Sequence, residues 1–396
     1  MKNTIDTKWV GRQIGRVSGF SLVEIMVGMV VGFVTIIVIM QSFTAFEGQK
    51  RTTTTGADAQ ENGLMAFQAI ESDARKAGYG LLTPKGLACT SMIYFESGVT
   101  AAPTAAAIAP VAVVDGGTGS DQVVFTAATS PNAGMPLKLN TDMPTALSNP
   151  DLDNTIGFVP DQDMFLVAAP IVSPGIGAAE IPCSRLPYAS AVVSTYETID
   201  PALELQMFPT AGYPGSNGFV INIGRYQDAR NGAAGFLRTQ YRVNASNELV
   251  MEDVSHISFA QSTVVIASNI VNMQVQYGVA PSNTQSGADS PAINCWTDAI
   301  GTSCNPTNGG NWASPNAADI MRIKAIRIAV VARSSLMEKA ASGVGQAATC
   351  NATITAPTVW AGGPSVNLSA DANWQCYRYR VYQTIIPLRN VIWANI

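Results

Sequence analysis

From Phe20 to Phe46 the chain reads FSLVEIMVGMVVGFVTIIVIMQSFTAF, with Glu24 its only charge and no proline to break it. About 20 mostly apolar residues cross a bilayer as a helix. A core helix of a soluble protein would instead show an apolar stripe on one face. The pattern predicts a transmembrane helix over 20–46. Behind it Leu64, Phe67, Ile70, Ala74 and Ala77 recur at intervals of three or four. That spacing predicts an amphipathic continuation over 47–80, with Glu61, Glu71, Asp73 and Arg75 turned away from the packing face. Run without a break from Phe20 to Ala77, such a helix would measure roughly 85 Å. Gly28, Gly32, Gly48, Gly56 and Gly63 soften it.

Past Pro84 the pattern changes to short apolar or alternating runs between Gly, Pro, Asn, Asp and Ser clusters. Strands are expected at 122–127, 164–169, 219–223, 236–243, 263–267, 270–278, 323–332 and 377–388. In 271–277 the alternation places Val271, Met273, Val275 and Tyr277 on one face and Asn272, Gln274 and Gln276 on the other. The loops 128–160, 280–318 and 340–372 read as surface insertions. The fold class is α+β. A long N-terminal helix, transmembrane in its first half, packs on a large antiparallel β-rich globular domain spanning 84–396, with room for two sub-domains.

The carboxylate within the apolar run needs a reason. An intramembrane acid costs about 2.5–3.5 kcal/mol on insertion scales and calls for a positive partner. No Lys or Arg lies between Phe20 and Phe46. The cation must come from another protein, or from an α-amino group made by cutting the chain just ahead of the run. Residues 1–19, MKNTIDTKWVGRQIGRVSG, are polar, set Lys2, Lys8, Arg12 and Arg16 against Asp6, and end in small Ser18 and Gly19. They read as a removable leader. A secretory signal is cut after its apolar stretch at an A-x-A-like site, and QSFTAFEGQKRTTTT (41–55) holds none. A cut after Gly19 keeps the helix and leaves an amine on Phe20 that can neutralise Glu24 of a neighbouring copy or relative. The basic leader places the N-terminus in the cytoplasm and residues 51–396 outside.

The stretch G-FSLVEIMVG resembles the class III signal of type IV pilins and type II secretion pseudopilins, in which a glycine precedes the cut and a glutamate is the fifth residue after it. The resemblance implies cleavage between Gly19 and Phe20 by prepilin peptidase, N-methylation of Phe20, and Glu24 as a subunit assembly contact in a helical fibre. ESDARKAGYG (71–80), GSDQVVF (119–125), NIVNMQVQYGV (269–279), IKAIRIAVVARS (323–334) and YRYRVYQTIIPLRN (377–390) are similar to the PilW-like minor pilins. Residues 128–217 and 280–320 carry no such likeness. The resemblance implies a structural minor pilin that helps to prime pilus assembly and sits at the fibre tip. Its partners would be other minor pilins, the major pilin, the prepilin peptidase and the inner-membrane assembly machinery. It would be a single-pass inner-membrane protein before assembly and part of the surface pilus afterwards. Two alternatives stay open. A type II secretion minor pseudopilin shares the N-terminus, although those tend to be shorter than this chain, and a DNA-uptake or adhesive subunit can be mounted on a pilin helix.

Composition narrows the chemistry. Charged residues make up 13% of the chain and the net charge is −5; removing the leader, with four basic residues and one acidic, leaves −8. A broad nucleic-acid surface is disfavoured, since it would need Lys and Arg against the phosphates. All six cysteines fall on the outer side, where an even count reads as disulfides. Six cysteines allow 15 connectivities. Proximity points to Cys295–Cys304 and Cys350–Cys376, leaving Cys89–Cys183. No C-x-x-C spacing supports a metal site.

No enzyme and no cofactor are expected. The single histidine, His256, has no evident partners for catalysis. The glycine-rich stretch Asp115–Asp121 lacks the Gly-Lys-Ser/Thr ending of a phosphate loop and reads as a turn. Asp151, Asp153, Asp161 and Asp163 offer oxygen ligands for calcium, against the plainer reading of a solvated acidic loop, because Ile156 stands where a calcium loop needs glycine. Arg322, Lys324, Arg327, Arg378, Arg380 and Arg389 read either as a nucleic-acid stripe or, more simply, as the solvent face of a sheet or a subunit contact.

Overall fold

In the computed structural model the described residues are 19, 21–83, 86–93, 106–144, 150–159, 163–169, 181–187, 212–225, 236–254, 263–281, 292–338 and 350–393. The chain divides into two compact units, Met1–Thr54 and Thr55–Ile396. One helix, α1, runs from Leu22 to Lys76 through the boundary.

In the first unit α1 carries the apolar span Leu22–Glu47, and none of that span is buried. Its polar hydroxyls are hidden locally: Thr35 donates to the carbonyl of Val31 at 2.8 Å and Thr44 to that of Gln41 at 2.9 Å. Folding a hydroxyl back on the preceding turn lets threonine sit in an apolar run without an unmet donor.

In the second unit the buried face of α1 is Ala59, Gly63, Ala66, Ile70 and Ala74, continued by Ala77 just past its end. The expected face was one position out of phase at its start, for Leu64 is 51% exposed. Close approach explains the shift. The ring of Tyr382 lies where a Cβ on Gly63 would be, so no side chain fits between helix and sheet at that position. Asp73 was expected to turn away, yet it accepts a hydrogen bond from the Tyr241 hydroxyl at 2.8 Å. At the helix end the Asn390 amide donates to the carbonyls of Lys76 at 3.1 Å and Ala77 at 3.0 Å. It meets acceptors that a helix C-terminus leaves open.

The helix packs on inner faces of two sheets. A five-stranded sheet runs in the order Thr263–Ser268, Glu248–Asp253, Phe236–Val243, Gln122–Ala128, Val111–Val114. A four-stranded sheet runs Cys295–Thr297, Ile270–Val279, Ile323–Arg333, Tyr379–Pro387. Pairing is antiparallel in both. A bulge lies between Ile270 and Asn272. It removes Val271 from the face it was expected to share: Met273, Val275 and Tyr277 enter the main core, while Val271 packs on the other side beside Val359 and Trp360. That outer side is covered by Val359, Trp360 and Val366 of the segment closed by Cys350–Cys376.

A six-stranded sheet, in the order Ala106–Ala107, Ser91–Ile93, Cys183–Pro187, Asp163–Ala168, Phe219–Arg225, Leu137–Lys138, is antiparallel except between Ser91–Ile93 and Cys183–Pro187. It holds a separate core of Leu139, Met143, Phe165, Val167, Leu186, Tyr213 and Val220.

Three disulfides join Cys89 to Cys183, Cys295 to Cys304 and Cys350 to Cys376, with sequence separations of 94, 9 and 26. Chain entropy ranks them by the loop each closes. Replacing both cysteines of a pair by serine is expected to cost about 5 kcal/mol for Cys89–Cys183, about 3.5 for Cys350–Cys376 and about 2.5 for Cys295–Cys304. Denaturant unfolding of the three double variants checks the order.

Candidate assembly site

The N-terminal site is built on the first turn of α1. Ser21 precedes the helix and Glu24 lies in its first turn, with Glu24 Oε2 accepting from the Ser21 backbone N–H at 3.4 Å. Ser-x-x-Glu is the capping-box spacing, in which the acid reaches back to the N–H ahead of the helix. The spacing stands in the sequence but was not singled out there, and this contact is in addition to the part in assembly expected of Glu24. Among the described residues the structure gives its other oxygen no hydrogen-bond partner. Gly19 is exposed, and nothing lies within 4 Å of where its Cβ would be. Phe20 and the leader residues 1–18 lie outside the described residues.

From Leu22 to Phe46 the large apolar side chains are all exposed. A surface of that extent needs a lipid or protein cover. The site therefore combines an accessible backbone at Gly19, a carboxylate one turn into an apolar helix, and apolar flanks able to partition into a bilayer or against other helices.

Several of the other candidate residues have structural partners among the described residues. The turn Asp115–Asp121 is a staple between sheets. Asp121 Oδ1 accepts from Gly116 N at 2.8 Å and Oδ2 from Val275 N at 2.7 Å, while Asp121 N donates to Met273 O at 2.8 Å. Burial pushes the Asp121 carboxyl from an ordinary 3.8 up to about 6, against the two N–H bonds that lower it; Asp115 and Asp298 add smaller upward pushes. With the folded value above the unfolded one, its contribution to stability is full below about pH 4 and is lost as the pH rises through about 6. The span is worth about 3 kcal/mol. Relative to Asp121→Asn, the wild-type chain should gain stability by about that much between pH 7 and pH 4, as measured by denaturant unfolding at each pH.

In the acidic stretch, Asp163 turns inward and accepts from Val159 N at 2.7 Å and Asn222 Nδ2 at 2.9 Å, and Asp153 accepts from Asn140 Nδ2 at 3.0 Å. Asp161 and His256 lie outside the described residues. Among the described residues there is no group of three or more His, Cys, Asp or Glu side chains placed to hold a metal ion.

The basic stripe is not a solvent face throughout. Arg322 and Lys324 are buried. Arg322 pairs with Asp319 at 2.9 Å and donates to the carbonyls of Asn305, Cys304 and Ala280 at 2.9, 2.7 and 3.2 Å. The Trp312 ring lies 5.3 Å away. Arg327 lies between Trp296 and Trp360, at 5.0 and 4.2 Å, and donates to Gln276. Arg378 is paired with Glu338. Periodicity cannot separate such arginines from solvated ones, because their partners come from loops and distant strands.

Residues 236–390 match the family model described as PilW, Type IV Pilus-assembly protein W. The matched stretch opens on the strand Phe236–Val243, contains the four-stranded sheet and ends at Asn390, the residue that caps α1. Three of the similar segments, 269–279, 323–334 and 377–390, fall inside it; 71–80 and 119–125 lie ahead of it. No curated protein and no solved structure matches the chain.

Proposed function

We propose that this PilW-like type IV pilus protein is a non-enzymatic minor pilin, which primes fibre assembly from the inner membrane and stays at the fibre tip. One observation carries the reading: the prepilin-type constellation Gly19, Phe20 and Glu24 stands directly ahead of an apolar helix, Leu22–Glu47, in a chain whose residues 236–390 match the PilW model. The helix is compatible with a single-pass anchor.

In this reading the prepilin peptidase cuts after Gly19 and the new Phe20 amine is methylated. Glu24 then pairs with the amine of a neighbouring subunit, and the outer unit is carried into the fibre beside other minor pilins and the major pilin. The test is complementation of a deletion strain, with surface fibres counted by electron microscopy. Restoration by the wild-type chain and failure by one lacking residues 236–390 supports the reading; normal fibres in the deletion strain would sink it.

Processing gives a separate prediction. Intact-mass measurement of the membrane-extracted protein should find a chain starting at methylated Phe20. Gly19→Leu should leave the leader attached, giving a mass that still includes residues 1–19. A mature chain beginning at Met1 in the wild type rejects the assignment of Gly19 and Phe20.

A further inference from the structure

The six-stranded sheet and its loops lie outside the stretch matched by the family model, with a hydrophobic core of their own. Two adjoining loops of this region present apolar side chains to solvent. Met135 is 67% exposed, Ile156 81% and Val159 43%. Such exposure is ordinary for a single side chain on a floppy loop. Here the backbone beneath is held from several sides.

Gly157 O accepts from Asn132 Nδ2 at 3.2 Å and from Asn222 Nδ2 at 2.6 Å, which ties the second loop both to the first and to the strand Phe219–Arg225. Gly157 has φ 88°, and a Cβ there would come within 2.7 Å of the Asn132 side chain, so the tie depends on glycine. Phe158, the next residue, packs against the local core, and Val159 N is held by the inward Asp163. On the first loop Tyr79 donates its hydroxyl to Pro131 O at 2.5 Å. Fixed backbone under exposed apolar side chains removes much of the ordering cost of binding.

The charges around these loops decide what kind of surface they fit. Along residues 129–159, which include both loops, the charged residues are Lys138, Asp142, Asp151 and Asp153, all four exposed, and Asn140 ties the last two to the strand end by donating its backbone N–H to Asp151 O at 2.9 Å and its Nδ2 to Asp153 Oδ1 at 3.0 Å. An acidic rim is repelled by anionic lipid headgroups and by phosphate backbones. It suits a partner whose apolar pocket is ringed by lysine or arginine. We infer that Met135, Ile156 and Val159 form the apolar centre, and the aspartates the rim, of a docking surface for a protein with a basic-rimmed apolar pocket. This surface is independent of the assembly site and of whether the chain enters a fibre.

The experiment uses the full chain in cells. A photo-crosslinking benzoylphenylalanine at position 135 is compared with one at Ile354, an exposed residue 77% open on another loop. The expected result is a protein adduct at 135 that is missing at 354, mapping to a partner peptide of net positive charge. Ile156→Asp should lower its yield at least tenfold. Asp151→Lys with Asp153→Lys should lower it too, and the wild-type yield should fall when the salt concentration is raised during irradiation of permeabilised cells. Both changes fall on exposed positions; the milder Ile156→Ser gives the same reading if Ile156→Asp lowers the melting temperature. No adduct, a lipid or nucleic-acid adduct, the same adduct at both positions, or a yield indifferent to these substitutions overturns the inference. Fibres counted in the same cells keep this outcome distinct from a failure of the assembly reading.

Discussion

Arg322→Met should lower the unfolding free energy of the chain by about 3–5 kcal/mol, the usual cost of breaking a buried pair and leaving one charge uncompensated. The size follows from how many groups rely on one guanidinium. Its side chain is 5% exposed and that of Asp319 is fully buried. Beyond the pair, three backbone carbonyls, of Ala280, Cys304 and Asn305, lose their donor at once. Asp319 keeps the N–H groups of Thr307, at 2.9 Å, and Asn308, at 3.2 Å, but they cannot neutralise it. Arg322→Lys should recover only part of the loss, because an ammonium cannot cover the fork of directions that the guanidinium fills. A double variant, Arg322→Met with Asp319→Leu, should be less destabilised than the sum of the two single changes. Denaturant unfolding of the four chains checks the cycle. A single-variant loss under about 1 kcal/mol would mean that the pair contributes no more than an exposed one.

The same arginine shows where sequence reading stops. Arg322, Lys324 and Arg327 are interleaved with apolar residues in a run that reads as a two-sided strand. What separates a buried latch from a solvated charge is Trp312 and the loop carbonyls, which are brought in by chain closure rather than by period. Val271 fails for a related reason: a bulge inserts one residue and shifts everything before it to the other face, and the sequence marks the bulge with no glycine or proline. Val111–Val114 is only four residues long, too short for alternation to show, and Glu248–Asp253 holds three acids. One of those acids, Glu252, is paired with Arg242 at 2.5 Å on the sheet surface. Leu64 misled because a small-residue face was read as though its largest member had to be inside.

Long, local features were legible. The apolar run, the helix that follows it and the β-branched strands Gln122–Ala128 and Ile323–Arg333 depend mainly on neighbours in sequence. The candidate assembly site is likewise a local pattern, Gly19, Phe20 and Glu24 lying within six residues of one another, and its part in assembly is the proposal tested below. The apolar loops around Met135 and Ile156 were not legible, because their rigidity comes from Asn222 and Tyr79, far away in the chain.

Glu24→Gln should be inserted and processed normally and yet leave cells without fibres. Glutamine keeps the size of the side chain and a carbonyl oxygen, so it can still accept from the Ser21 N–H as the capping box requires. Removing the charge makes insertion easier by up to about 3 kcal/mol, so the amount in the membrane should hold. What is lost is the carboxylate that, in the proposed assembly, neutralises the Phe20 amine of a neighbouring subunit. That amine is then left unpaired among apolar helices, at a cost of about 3–5 kcal/mol. At 1.4 kcal/mol per tenfold change, such a loss lowers the association constant by two to four orders of magnitude, roughly the difference between assembled and free subunits. Glu24→Ala removes the cap as well and should do no better. The measurement is complementation of a deletion strain with each variant, comparing mature mass, membrane abundance and surface fibres. Normal mass and abundance with fibres lost is the expected outcome. Wild-type fibre numbers from Glu24→Gln would leave the carboxylate with its capping role alone.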